Sequence, residues 1–167
     1  LMVFASMPVS DAVFVPPPPE LLHECLNQLE LFLHNEETGL PLLVKAGLIH
    51  VQFETIHPFI DGNGRVGRCL IHAILRRRGV VERYVPPVSV VLAANPSAYV
   101  RGLVAFREGD LVGWVALFCV ATAAAAEQAR RLFDELSAVE LEWIERLGRP
   151  RRDASVLRLV KQLGGIP

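Results

Sequence analysis

Twelve consecutive residues hold most of the chemistry this sequence can perform: His57-Pro58-Phe59-Ile60-Asp61-Gly62-Asn63-Gly64-Arg65-Val66-Gly67-Arg68. His57 carries an imidazole, the side chain that takes up a proton near neutral pH. Asp61 offers a hard carboxylate oxygen of the kind that holds Mg²⁺ together with substrate phosphates. Gly62 and Gly64 free the backbone for dihedrals closed to other residues and leave no side chain in a ligand's way. Successive N–H groups in such a turn, at the start of a helix, form a concave anion site reinforced by the helix dipole. Arg65 and Arg68 stand three apart on one face of that helix, and their guanidinium forks suit phosphate oxygens. Each residue alone would more often be structural. Together, a base, a metal ligand, an anion nest and two arginines predict phosphoryl or nucleotidyl transfer.

Such a loop needs a helix on either side. Upstream, Leu42, Leu43, Ala46, Ile49, His50 and Phe53 recur at helical spacing and predict a helix over 41–55. Downstream, Val66, Cys69, Leu70, Ala73, Ile74 and Arg77 predict a second one, ended by Gly79. Leu21, Leu22, Cys25, Leu26, Leu29, Phe32 and Leu33 predict a helix over 19–34, which follows the rigid spacer Pro16 to Pro19. Asn95-Pro96 opens another helix, with Asn as cap and Pro in the first turn, and Gly109 ends it. A long helix or a pair of helices runs from Asp110 to Leu147, and Asp153 caps a last one over 154–163. Residues 1–15 are β-leaning and predict a hairpin or an irregular flap. The fold class is mostly α: six to eight helices with a small β-hairpin flap near the N-terminus, and no internal repeat.

Composition narrows the rest. The chain has 167 residues, 51% hydrophobic and 21% charged, with a formal net charge of −1. That excludes disorder as the main state and gives no electrostatic footprint for non-specific nucleic-acid binding. The uncharged stretch Leu111 to Ala126 is 16 residues and predicts a buried core helix, not a bilayer span. Cys25, Cys69 and Cys119 lie far apart in apolar helical patterns and read as small core hydrophobes in a reducing compartment. No signal peptide is legible, so a cytoplasmic location without a membrane is expected. Fifteen arginines beside two lysines, with heavy alanine use, point to a GC-rich bacterial genome. The chain starts without methionine and is expected to be part of a longer protein.

The twelve-residue segment matches, at every specified position, the pattern H-P-F-x-[D/E]-G-N-G-R-x-x-R, and the sequence thereby resembles the Fic (filamentation induced by cAMP) domain family. Phe14-Val15-Pro16-Pro17-Pro18-Pro19 is similar to the family's proline run after its flap. Leu40 to Gly47 and Gln52 to Ile56 resemble the helix leading into the motif. Arg107-Glu108-Gly109-Asp110 and Gly113-Trp114 resemble the segment opening the helix that closes the core. The resemblance makes residues 1–147 a Fic core, with 1–15 as flap and 57–68 as catalytic loop and helix start. Residues 148–167 become a linker and the first helix of a winged-helix module, with a C-terminal helix docked on the core as the alternative.

The resemblance implies protein adenylyltransfer, with AMP passing from ATP to a Ser, Thr or Tyr hydroxyl of a target protein. His57 would be the general base and Asp61 would hold Mg²⁺. Gly62, Asn63 and Gly64 would cradle the α-phosphate, the Asn63 side chain assisting, while Arg65 and Arg68 bind the remaining phosphates. Tyr99 and Arg107 fall where relatives contact the nucleoside; a half-buried core aromatic is an equal reading of Tyr99. Phe59 is expected to turn inward and anchor the loop. Doc-type toxins, which phosphorylate their targets, carry lysine where Gly64 stands, so glycine favours AMP transfer. A regulator with a DNA-binding C-terminal module and a de-AMPylating enzyme are the alternatives; DNA enters only if that module continues past residue 167. The protein target would dock on the flap. The family's inhibitory pattern [S/T]-x-x-x-E-[G/N] is absent from the sequence. Inhibition is therefore expected from a helix upstream of residue 1 or from a separate antitoxin, leaving Arg68 free.

Overall fold

The computed structural model describes residues 14–81 and 86–147, and these form six α-helices. They are α1 (Pro19–His34), α2 (Leu42–Ile56), α3 (Asn63–Arg77), α4 (Val88–Ala94), α5 (Pro96–Arg107) and α6 (Leu111–Leu147), with one 3-10 turn at Glu36–Thr38. No strand occurs among the described residues. The flap over 1–15, apart from Phe14 and Val15, and the tail over 148–167 lie outside them.

Helix α2 is the hub. It packs against α1, α3, α5 and α6. Ala46, Gly47, Ile49, His50, Val51, Phe53, Glu54 and Ile56 are all buried, so the helix is enclosed nearly all round and not merely amphipathic. Trp114 and Phe118 of α6 lie fully buried against it, and the Trp114 indole N–H donates to the Gly47 carbonyl at 2.9 Å. Gly47 has to be glycine here: a Cβ would stand 2.8 Å from Phe118 Cδ1.

The helix ends follow local rules. Asn95 Oδ1 accepts the Ala98 N–H at 3.1 Å, and Pro96 opens α5. Asp110 Oδ1 accepts from Gly113 N and starts α6, after Gly109 turns the chain at φ 103°. Helix α6 is one unbroken element of 37 residues. By length and composition it could cross a membrane, but Trp114, Phe118, Ala121, Thr122 and Ala125 are buried in the bundle. The described residues beyond Ala125 are partly or fully exposed.

Two expectations change. The sequence pattern predicts no element over Val88–Ala94, yet it forms α4, with Val88 and Leu92 in the core. Cys69 is exposed on α3, so it is not a core hydrophobe, whereas Cys25 and Cys119 are half-buried.

Candidate active site

The twelve-residue loop hangs between the end of α2 and the start of α3, and each end is fixed by its own backbone geometry. His57 caps α2 in the left-handed region, φ 51° and ψ 55°, while its N–H still donates to Phe53 O at 2.9 Å. Pro58 follows and disfavours α conformation at the residue before it, so the helix must stop here. His57 is the sole non-glycine residue with positive φ among the described residues. A non-glycine residue held there is strained, and strain of this kind collects at functional sites.

The His57 Nδ1 lies 3.3 Å from the Glu54 carbonyl. A carbonyl only accepts, so Nδ1 carries the proton and Nε2 keeps the lone pair. The ring is half-buried and meets Phe14 edge-on, with centroids 6.4 Å apart. This is the tautomer a general base needs when the opposite nitrogen faces the substrate.

At the other end, Gly62 sits at φ 88° as the N-cap of α3 and offers no side chain to its first turn. The opening amides of α3 are therefore left without a side-chain cap, the arrangement that suits an anion. Gly64 does not share the unusual dihedral: it lies within the helix, where ordinary φ values hold. What glycine secures there is space, because a Cβ would stand 3.0 Å from Arg68 Nη1.

Phe59 also differs from expectation, and Asn63 binds its backbone. Asn63 is 2% exposed; its Oδ1 accepts from Phe59 N at 2.9 Å and its Nδ2 donates to Phe59 O at 2.6 Å. Both polar ends close the loop on itself. The Phe59 ring does not turn fully inward. It is half-exposed and rests against Phe53 at 6.2 Å, and its backbone is the part that is anchored.

Asp61 and Arg65 stand outermost and hold each other, with Arg65 Nη2 donating to Asp61 Oδ2 at 2.9 Å. Asp61 Oδ1 accepts from Gly62 N at 2.7 Å. No group of three or more His, Cys, Asp or Glu side chains converges on a metal position among the described residues. One exposed carboxylate fits a magnesium ion held mainly by substrate phosphates and water, not an all-protein cage.

Beneath the loop lies a buried polar cluster that reading the motif alone missed. His50 and Glu54, one turn apart on α2, face Gly67 of α3, where a Cβ would stand 2.6 Å from Glu54 Oε1 and 3.1 Å from His50 Nδ1. Tyr99 closes the cluster from α5: its hydroxyl pairs with His50 Nε2 at 2.9 Å, and its ring stacks on the imidazole. Arg68 reaches in from α3 and faces Tyr99 and Glu54. Tyr99 thus spends its hydroxyl and one ring face inside this cluster. Burial draws the His50 imidazole down to about 4, and the positive charge of Arg68 adds to this while the Gly67 backbone opposes it. Burial raises the Glu54 carboxyl, against the pull of Arg68 and Arg107, and it raises the Tyr99 hydroxyl as well. The signal in the sequence was a pair of ionisable residues, His50 and Glu54, one turn apart in a mostly apolar helix.

A strained histidine, an uncapped glycine-led helix start and two arginines make an arrangement whose chemistry suits phosphate. Residues 4–75 match the sequence model of the Fic/DOC family. It is 36% identical over 108 residues to a protein of Aquifex aeolicus (strain VF5) named a probable protein adenylyltransferase, covering 65% of this chain and 31% of that protein. It is 37% identical over 98 residues to the protein adenylyltransferase Fic of Drosophila grimshawi, covering 58% of this chain and 19% of the relative. The Drosophila ananassae protein of the same name matches at 37% over 98 residues, covering 58% and 18%. The chain thus spans about a third of the Aquifex relative's length and about a fifth of the Drosophila ones.

Proposed function

We propose that this chain is a nucleotidyltransferase that moves AMP from ATP to a hydroxyl of a protein target. The observation that carries the reading is the pair of loop ends: a His57 with Nε2 left to accept a proton at one, and the uncapped first turn of α3 with its arginines at the other. The names of the relatives agree with it.

In this reading the target hydroxyl gives its proton to His57 Nε2 as its oxygen attacks the α-phosphorus. The new O–P bond forms as the bond to the pyrophosphate oxygen breaks, and pyrophosphate leaves. The backbone amides opening α3 bind the α-phosphate, where negative charge gathers in the transition state. Arg65 turns from Asp61 to the leaving phosphates, and Arg68 takes the outermost one. Asp61 is the residue to hold Mg²⁺, which supplies charge neutralisation on the phosphates when bound. Asn63 contributes indirectly, by keeping the loop closed.

Gly64 supports AMP transfer over phosphate transfer. A lysine side chain at this position would begin 3.0 Å from Arg68 Nη1, so that guanidinium would have to shift by a few tenths of an ångström. The partners under this reading are ATP, a hydroxyl-bearing protein segment and an inhibitory element outside residues 1–167. Incubation with Mg²⁺ and ATP labelled at either the α- or the γ-phosphate tests the reaction. Label should enter protein from the α-position; entry from the γ-position alone would make the chain a kinase.

A further inference from the structure

We infer that Arg107, the last residue of α5, is a positioning residue for His57 and not a nucleoside contact. The inference rests on His57 being the base of the proposed reaction, and it stands on four contacts: two from the Arg107 guanidinium, and two that pass from its partners to His57.

The Arg107 guanidinium carbon lies 3.4 Å from the centroid of the Phe14 ring, at cation–π distance. That ring in turn meets His57 edge-on, at 6.4 Å and an interplanar angle of 68°. Arg107 Nη2 also donates to the Glu54 carbonyl at 3.3 Å. The same carbonyl faces His57 Nδ1 at 3.3 Å. Two groups therefore hold the imidazole, a ring on its side and an oxygen at its inner nitrogen, and Arg107 grips both of them.

The arrangement has a cost that packing alone does not account for. Arg107 is half-buried, and its Nε is enclosed without a hydrogen-bond partner. An unpaired buried donor on a charged group is unfavourable, and an apolar side chain would fill the same space without that penalty. An arginine is nonetheless useful here because its planar fork can stack on a ring and donate in plane at once. It couples three segments distant in sequence, namely Phe14 before α1, the last turn of α2 and the end of α5. A base displaced by about 1 Å can lose on the order of 100-fold in rate, so such a clamp matters for turnover.

The test uses Arg107→Met, Arg107→Lys and Phe14→Leu, alone and as the Arg107→Met/Phe14→Leu double variant. Three readouts are taken: turnover at saturating ATP, the Kd for ATP, and the ¹⁵N shifts of the His57 ring. Arg107→Met should lower turnover about tenfold or more with the ATP Kd within about threefold. Its His57 signals should show a reduced share of the Nδ1–H form. Arg107→Lys, which keeps the cation over the ring but not the fork, should recover part of the loss. Phe14→Leu should lower turnover too, and the double variant should lose less than the product of the single losses. A weakened ATP Kd with unchanged saturating turnover would make Arg107 a nucleoside contact and overturn the inference. So would unchanged His57 signals, or losses that multiply. The ring signals need no reaction: if no AMP is transferred yet the tautomer shifts, the proposed function fails while the positioning role stands.

Discussion

His50 and Glu54 show how much of this site is invisible in its motif. They stand one helical turn apart under Gly67, both nearly inaccessible, and burial pushes their titrations in opposite senses. In the unfolded chain His50 binds a proton below about 6.5, whereas in the fold it does so only below about 4. Between those values the unfolded state holds more protons, so stability rises with pH across the window. This contribution, on the order of 3 kcal/mol, is fully present above pH 6.5 and is lost as pH falls toward 4. Glu54 acts the other way, because its raised carboxyl makes ionisation costly as pH climbs above 4.5. Glu54→Gln should therefore be more stable than the parent at pH 7, and should lose more stability on going to pH 5. Urea unfolding at both pH values measures this. A less stable Glu54→Gln protein at pH 7 would show that Arg68 and Arg107 fully compensate the buried charge.

At the scale of elements, helix α2 was legible because apolar residues at helical spacing gave both its range and its inner face. Observed Leu42–Ile56 differs from 41–55 by one residue at each end. Helix α4 was not legible. Val88-Ser89-Val90-Val91 is β-branched and polar, and seven residues are too few to show a period. Burial of Val88 and Leu92 makes it helical, which is a tertiary effect. The motif's residue types told which chemistry to expect, yet not that Asn63 turns inward, since a pattern of letters does not fix a side chain's direction. Gly47 offers a direct test of how tightly α2 meets α6. Its Cβ would sit 2.8 Å from a ring carbon of Phe118, which is 1% exposed and has nowhere to move. Gly47→Ala should lower stability by about 1–3 kcal/mol, the usual cost of overpacking, and Phe118→Leu in the same chain should restore part of it. Thermal unfolding of the parent, the single variant and the double variant settles the matter. An undiminished Gly47→Ala protein would mean that the two helices are not in close contact.

Across the whole molecule, stability and chemistry are set against each other at one residue. The bundle holds His57 in the left-handed region because α2 must stop before Pro58 and the loop must return to Asn63, whose two bonds to Phe59 close it. The core formed by Trp114, Phe118, Ile49 and Ile56 supports this conformation from below. A non-glycine residue pays roughly 1–2 kcal/mol for that backbone state, and glycine pays almost none of it. His57→Ala and His57→Gly both remove the imidazole, so under the proposed mechanism both should abolish transfer while leaving the ATP Kd within a few-fold. Their stabilities should differ. Glycine usually weakens a folded chain through its greater freedom when unfolded, but at φ 51° relief of strain offsets that loss. The His57→Gly protein should therefore be at least as stable as His57→Ala, and about 1 kcal/mol more stable if strain dominates. Urea midpoints for the two variants give the comparison without any activity measurement. A His57→Ala protein clearly more stable than His57→Gly would mean that the loop relaxes out of the left-handed state once the imidazole is gone, and that the histidine's own contacts, with Glu54 O and Phe14, hold the backbone there.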